Sequence, residues 1–112
     1  MPQYVLMLLD DEKWEQQSKE QMKRAYAAIG TWVDAITKKG IFKGGEELQS
    51  QRTATTVRRK NGAMSVTEGP FIESKEHVGG FMMIEVSDLD AAIVLAKSWP
   101  GGDVEVRPIV VH

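Results

Sequence analysis

The chain contains no cysteine, and that absence removes disulfide staples, thiolate nucleophiles and thiolate metal ligands together. Histidine is almost as scarce: only His77 and His112 are present, and they make no zinc spacing. Basic runs are short. The longest, Arg58-Arg59-Lys60, reads as a solvated strand end, and a net charge of −2 argues against the concentrated basic footprint of a nucleic-acid protein. No apolar stretch approaches the roughly 18 residues of a membrane span. The run at residues 4–9 is short and has no basic region before it, as a signal peptide would. Phosphate loops, calcium loops and nucleophile elbows are missing too, since Gly44-Gly45 and Gly79-Gly80 are isolated pairs. The expectation is a soluble cytoplasmic protein with no cofactor, no metal, and neither nucleic acid nor membrane as a partner.

What is present is an ordinary globular balance, 42% hydrophobic and 27% charged over 112 residues. That length suits one domain spanning residues 1–112, able to bury roughly two-thirds of its unfolded surface.

Tyr4 to Leu9 is a continuous apolar run, too short for a typical helix and stopped by Asp10-Asp11-Glu12, so it reads as a strand buried on both faces. Met22, Ala25, Tyr26, Ile29, Trp32, Val33 and Ile36 then recur at helical steps as one apolar stripe. Ser18 and Gln21 have capping-box spacing, and Gly40 follows the last turn. Gly30 inside this helix costs about 1 kcal/mol relative to alanine, which points to a close packing contact there. Residues 54–59 and 63–66 read as a hairpin around Asn61-Gly62, the preferred pair for a type I′ turn. Residues 78–86 form a strand with Phe81 and Met83 on one face and Met82, Ile84 and Val86 on the other. Ser87 or Asp88 caps a second helix that turns Leu89, Ala92, Ile93 and Ala96 inward. The last strand sets Val104, Val106 and Pro108 against Glu105, Arg107 and Ile109.

The fold class is therefore α+β, a ferredoxin-like antiparallel sheet with two helices on one face. Two helices leave the other face bare, yet two strands are apolar on both sides. The same sheet from a second copy covers it most economically, so a homodimer is expected.

Residues 68–77 hold the candidate site. In Glu68-Gly69-Pro70-Phe71, glycine tolerates unusual backbone angles and proline fixes its own, which makes a rigid turn with Phe71 as an apolar plug. Glu73, Lys75, Glu76 and His77 follow within five residues, before Gly79-Gly80. A carboxylate beside an imidazole is the minimum for general acid–base work, so Glu73 and His77 are the catalytic candidates. Arg107 lies on the face opposite Val104 and Val106, where a cation between two sheets needs an anionic partner. Glu68, Lys75, Arg107 and Trp32 complete the candidate substrate-binding set, with Trp32, on the helix stripe, as core or pocket wall.

The stretch Val66-Thr67-Glu68-Gly69-Pro70-Phe71-Ile72-Glu73-Ser74-Lys75-Glu76-His77-Val78-Gly79-Gly80-Phe81 closely resembles the signature of the YCII-related superfamily, in particular the branch named for its Asp-Gly-Pro-Phe motif. Tyr4-Val5-Leu6-Met7-Leu8, Ala54-Thr55-Thr56-Val57-Arg58, Val86-Ser87-Asp88-Leu89-Asp90-Ala91-Ala92 and Val104-Glu105-Val106-Arg107-Pro108 extend the resemblance along the chain. It implies a dimeric α/β barrel. Members are often encoded beside extracytoplasmic-function sigma factors, and a distant branch acts on chlorinated hydroxyaromatics with a His–Asp pair. Two positions depart from that pattern: Glu68 replaces the motif's aspartate, and residues 10–18 contain no histidine. The expected function is that of a small-molecule enzyme or enzyme-like protein using acid–base residues of the 68–77 loop near the dimer interface. The alternatives are a non-catalytic ligand-binding or regulatory accessory protein and a monooxygenase-like member of the wider dimeric-barrel group.

Overall fold

The computed structural model describes residues 1–70 and 76–112, and of Glu12 the backbone alone. In chain order it runs β1 (Gln3–Asp10), α1 (Glu12–Glu15), α2 (Lys19–Lys38), β2 (Phe42–Glu47), a 3-10 turn (Gln51–Thr53), β3 (Thr55–Lys60), β4 (Ala63–Glu68), β5 (His77–Glu85), α3 (Leu89–Lys97) and β6 (Val104–Pro108). Four strands make one antiparallel sheet in the order β2-β5-β1-β6, while β3 and β4 form a separate two-stranded sheet. This mixed architecture is compatible with a ferredoxin-like fold.

Local chemistry accounts for the element ends. The Ser18 side chain accepts from the Gln21 backbone N–H at 3.1 Å, and the Gln21 side chain accepts from the Ser18 N–H at 2.9 Å, closing the capping box. Asp88, the second of the two proposed caps, accepts from Ala91 N–H at 2.8 Å. Asn61 and Gly62 both take positive φ, 50° and 80°, as a two-residue type I′ turn requires. Gly69 has φ 114°, a conformation that side chains rarely adopt, so the rigid turn read from its motif does rest on glycine.

Packing selects one face of the sheet. Tyr4 and Leu6 of β1 and Met82 and Ile84 of β5 are buried against Ile36 of α2 and Ala92 of α3. Leu6 and Ile84 are fully buried at the centre, each worth about 1.5–3 kcal/mol of transfer free energy. Along α3 the inward side differs from the expected one. Ala91, Ala92, Leu95 and Ala96 join the core, while Leu89 and Ile93 are exposed. The helix is apolar nearly all round, and its seat against β6 chooses the stripe.

Gly30 needs a second correction. A Cβ built there meets nothing within 4 Å, so no close contact requires the glycine. Gly30→Ala is expected to stabilise the fold by about 0.5–1 kcal/mol through helix propensity. A thermal melt should show a midpoint several degrees higher; a lower midpoint would mean that something packs on Gly30.

Among the described residues the other sheet face carries no helix. Register sets Val5 of β1 between Met83 of β5 and Arg107 of β6, and Met7 between Phe81 and Glu105. The molecule is accordingly thin, 18 Å along its shortest axis, with a radius of gyration of 16.1 Å, against about 13 Å for a compact chain of this length. The β3–β4 hairpin adds to that spread. Its Val57, Met64 and Val66 share one face by register and are all exposed.

Candidate functional site

The β1–β5 ladder is regular from Gln3↔Glu85 to Leu8↔Gly80, then shifts so that Leu9 faces Val78 and Asp10 faces His77. Gly79 is the extra residue of this bulge. Bulges bend a strand and re-aim the side chains beside them. Here the Asp10 carboxyl lies directly over the Gly79 Cα, in space that a Cβ would take. A side chain at position 79 would collide with the carboxyl, so this glycine and this aspartate are matched.

Asp10 stands where three concave regions meet. The most apolar of them, a cavity of about 300 Å³, opens between α2 and the β2 end of the sheet. Leu8, Ile29, Val33, Phe42 and Met82 form its apolar walls, and Trp14, Tyr26 and Trp99 add aromatic faces. Trp14 and Tyr26 meet edge to face with ring centres 5.8 Å apart. The polar end consists of Asp10 and Glu47. The Tyr26 hydroxyl donates to the Glu47 carboxylate, 2.7 Å from Oε2 and 3.0 Å from Oε1. That hydrogen bond, with burial second, pushes the Tyr26 phenol up to about 12. Desolvation likewise raises the Asp10 carboxyl above its ordinary value, with Glu47, Asp11 and Glu15 adding to the rise and the His77 imidazole opposing it. An adjoining groove of about 520 Å³ contains His77, Glu15 and Arg52 together with Asp10. His77 Nδ1 is buried there without a hydrogen-bond partner among the described residues.

The residues singled out from sequence fall in different places. Glu73 and Lys75, with Phe71, lie outside the described residues. His77 begins β5 and faces Asp10 across the strand pair. Glu68 ends β4 opposite Thr55 and is exposed. Arg107 is exposed on the bare sheet face, beside Val5. Trp32 is half-buried; its indole N–H donates to Ser98 Oγ at 2.9 Å, and its ring meets Trp99 edge to face at 5.0 Å. It thereby holds Trp99, which lines the cavity, without lining the cavity itself. Asp10, Tyr26 and Glu47 are the residues that sequence reasoning missed. The available signal was Asp10 itself, a carboxylate closing an apolar strand in a chain whose paired glycines invite close approach.

A carboxyl held partly out of water, with an unpartnered imidazole nitrogen in the next groove, is suited to giving and taking a proton. Among the described residues no group of three or more His, Asp or Glu is placed to hold a metal ion, and no helix is long and apolar enough to cross a membrane.

Sheet, helices and concave acidic end thus define a small α/β protein with one face built around a ligand-sized cavity. The chain belongs to the YCII-related domain family, whose model matches residues 3–111. It is 29% identical over 119 residues to an uncharacterized protein of Rhizobium meliloti (strain 1021), an alignment covering 97% of this chain and 93% of that protein.

Proposed function

We propose that the cavity is a small-molecule site in which Asp10 exchanges a proton with the bound molecule and His77 assists from across the bulge. The protein would work as an enzyme or enzyme-like homodimer. The observation that supports this most directly is the Asp10 carboxyl, lodged over Gly79 and raised in pKa by desolvation, at the junction of the three concave regions. An acid–base group needs both features, a fixed position and a proton affinity shifted toward neutrality. Glu68, at the end of β4, remains a candidate, as do Glu73 and Lys75, which lie outside the described residues. Arg107 belongs with the dimer face in this reading.

Asp10 also provides a stability control. Its folded-state pKa is raised, so the native state binds more protons than the unfolded chain, and stability falls as pH rises from 3.8 through the raised value. Above that raised value the penalty is fully present, and there Asp10→Asn should melt no lower than the parent protein. A thermal-shift screen against metabolites, small aromatics and divalent metals tests the site, because a ligand raises the midpoint by mass action. Hits should weaken by about tenfold or more in both Asp10→Asn and Gly79→Ala. Hits indifferent to both changes would overturn the proposal.

One observation favours the accessory-protein reading as an alternative: the exposed Val57, Met64 and Val66 of the hairpin suit a protein partner. We also place the chain in the Asp-Gly-Pro-Phe branch on Glu68-Gly69-Pro70-Phe71, and a cytoplasmic setting fits a chain without cysteine.

A further inference from the structure

Taking the cavity as the binding site proposed above, we infer that its ligand is an organic cation, an ammonium group carried on an aromatic or branched apolar body. The charges around the cavity are one-sided. Among its described lining residues the ionisable side chains on the helix-covered face are Asp10, Glu47 and the phenol of Tyr26, with no Lys, Arg or His; Glu46 also lines it, but its register partner Phe81 belongs to the bare face. The neighbouring acid Glu15 shows what a satisfied carboxylate looks like in this region. Its Oε2 lies 3.3 Å from Arg52 Nη2, and its Oε1 accepts from Ser50 Oγ at 2.6 Å. Among the described residues Asp10 and Glu47 make no ion pair with Lys or Arg; the basic group nearest Asp10 is His77, which faces it across the ladder from the adjoining groove and only partly offsets the rise in its proton affinity. Glu47 has only the Tyr26 hydroxyl, a neutral donor.

Two carboxylates at the same end of the sheet, Asp10 on β1 and Glu47 on β2 with β5 between them, repel each other, and after desolvation that repulsion contributes to the raised proton affinity of Asp10. A positive charge between them relieves the repulsion and supplies an ion-pair partner that no described residue provides. The rest of the lining suits the remainder of such a molecule. Trp14, Tyr26 and Trp99 offer π faces, whose quadrupoles attract cations. Ile29, Val33 and Phe42 take an apolar body. A volume near 300 Å³ is at the small end of ligand pockets and admits one ring with a short amine arm. An anionic ligand would face the same carboxylates with no cation to hold it.

The test is calorimetric titration with three probes of one shape: phenethylammonium, phenethyl alcohol and phenylpropionate. The ammonium should bind about tenfold or more tighter than the alcohol, and phenylpropionate most weakly. Glu47→Gln and Asp10→Asn should each weaken the ammonium far more than the alcohol, cutting its advantage to about threefold or less. The ammonium's affinity should also rise with pH as Asp10 loses its proton, against a surround of His77 on β5, Glu47 on β2, and Asp11 and Glu15 flanking α1. Equal or tighter binding of the alcohol or the carboxylate overturns the cation inference and leaves the cavity as a site for another ligand class. So does failure of all three probes while metabolite hits remain sensitive to Asp10→Asn. Metabolite hits indifferent to Asp10 and Gly79 instead remove the site reading itself, and the cation inference with it.

Discussion

Gly45→Ala is expected to cost about 3 kcal/mol or more and to lower the melting midpoint by roughly 10 °C or more. Gly45 lies on β2, opposite Met82 of β5. A Cβ there would sit 2.8 Å from both Cα and Cβ of Met82 and would strike the Phe81 carbonyl oxygen. These are mostly backbone atoms of the neighbouring strand, which cannot swing aside as a flexible side-chain end can. The edge strand must therefore move off β5 and surrender ladder hydrogen bonds, or β5 must shift against the core around Ile84. A domain of this length has about 5–15 kcal/mol of stability in total, so the change consumes a large share of it. Gly30→Ala adds the same methyl group with the opposite sign, because at position 30 the methyl meets nothing and helix propensity decides. Chemical denaturation of the two variants side by side checks the contrast. A Gly45→Ala midpoint within experimental error of the parent would show that β2 can slide at no cost.

The elements that could be read from sequence are those whose causes are local. The Ser18–Gln21 capping box, the Asn61-Gly62 turn and the two-sided apolar strand at 78–86 each depend on residues a few positions apart, and each stands where the spacing put it. The stripe of α3 was misjudged because Leu89 and Ile93 are as apolar as Ala91 and Leu95, and only the packing against the sheet separates them. The site was less legible for a related reason. Asp10 meets Gly79 through a register shift between two strands far apart in the chain. No motif spacing encodes that shift. Tyr26 was assigned to the helix stripe correctly, but its hydroxyl reaches Glu47 at the far edge of the sheet, a contact fixed by how α2 crosses the strands. His77 was found because it is one of only two histidines; its neighbour across the ladder could not be.

Met83→Asp should convert a dimer into a monomer. Under the proposed homodimer, the parent protein sediments at twice its 12.5 kDa chain mass and the variant at 12.5 kDa. The reasoning starts from the bare face, where Val5, Met7, Phe81 and Met83 form a patch on the two central strands. Glu46, Glu105 and Arg107 frame it, and a Gln3 amide donates to Glu85 at 3.1 Å on its border. An apolar centre with a charged rim is the usual anatomy of a protein–protein interface. A two-fold axis would bring the patch against itself, so every substitution enters the interface twice. Two aspartates would then be buried close together without partners. Each lost 1.4 kcal/mol weakens association tenfold, so a penalty of about 2 kcal/mol for each of the two carboxylates makes the dissociation constant on the order of a thousandfold larger. The protomer should tolerate the change, since Met83 points away from the core and its strand neighbours on the helix side are untouched. Circular dichroism should therefore match the parent while sedimentation does not. A parent protein that is monomeric at micromolar concentration would overturn the dimer. A Met83→Asp variant that stays dimeric would move the interface off this sheet face and onto the exposed hairpin.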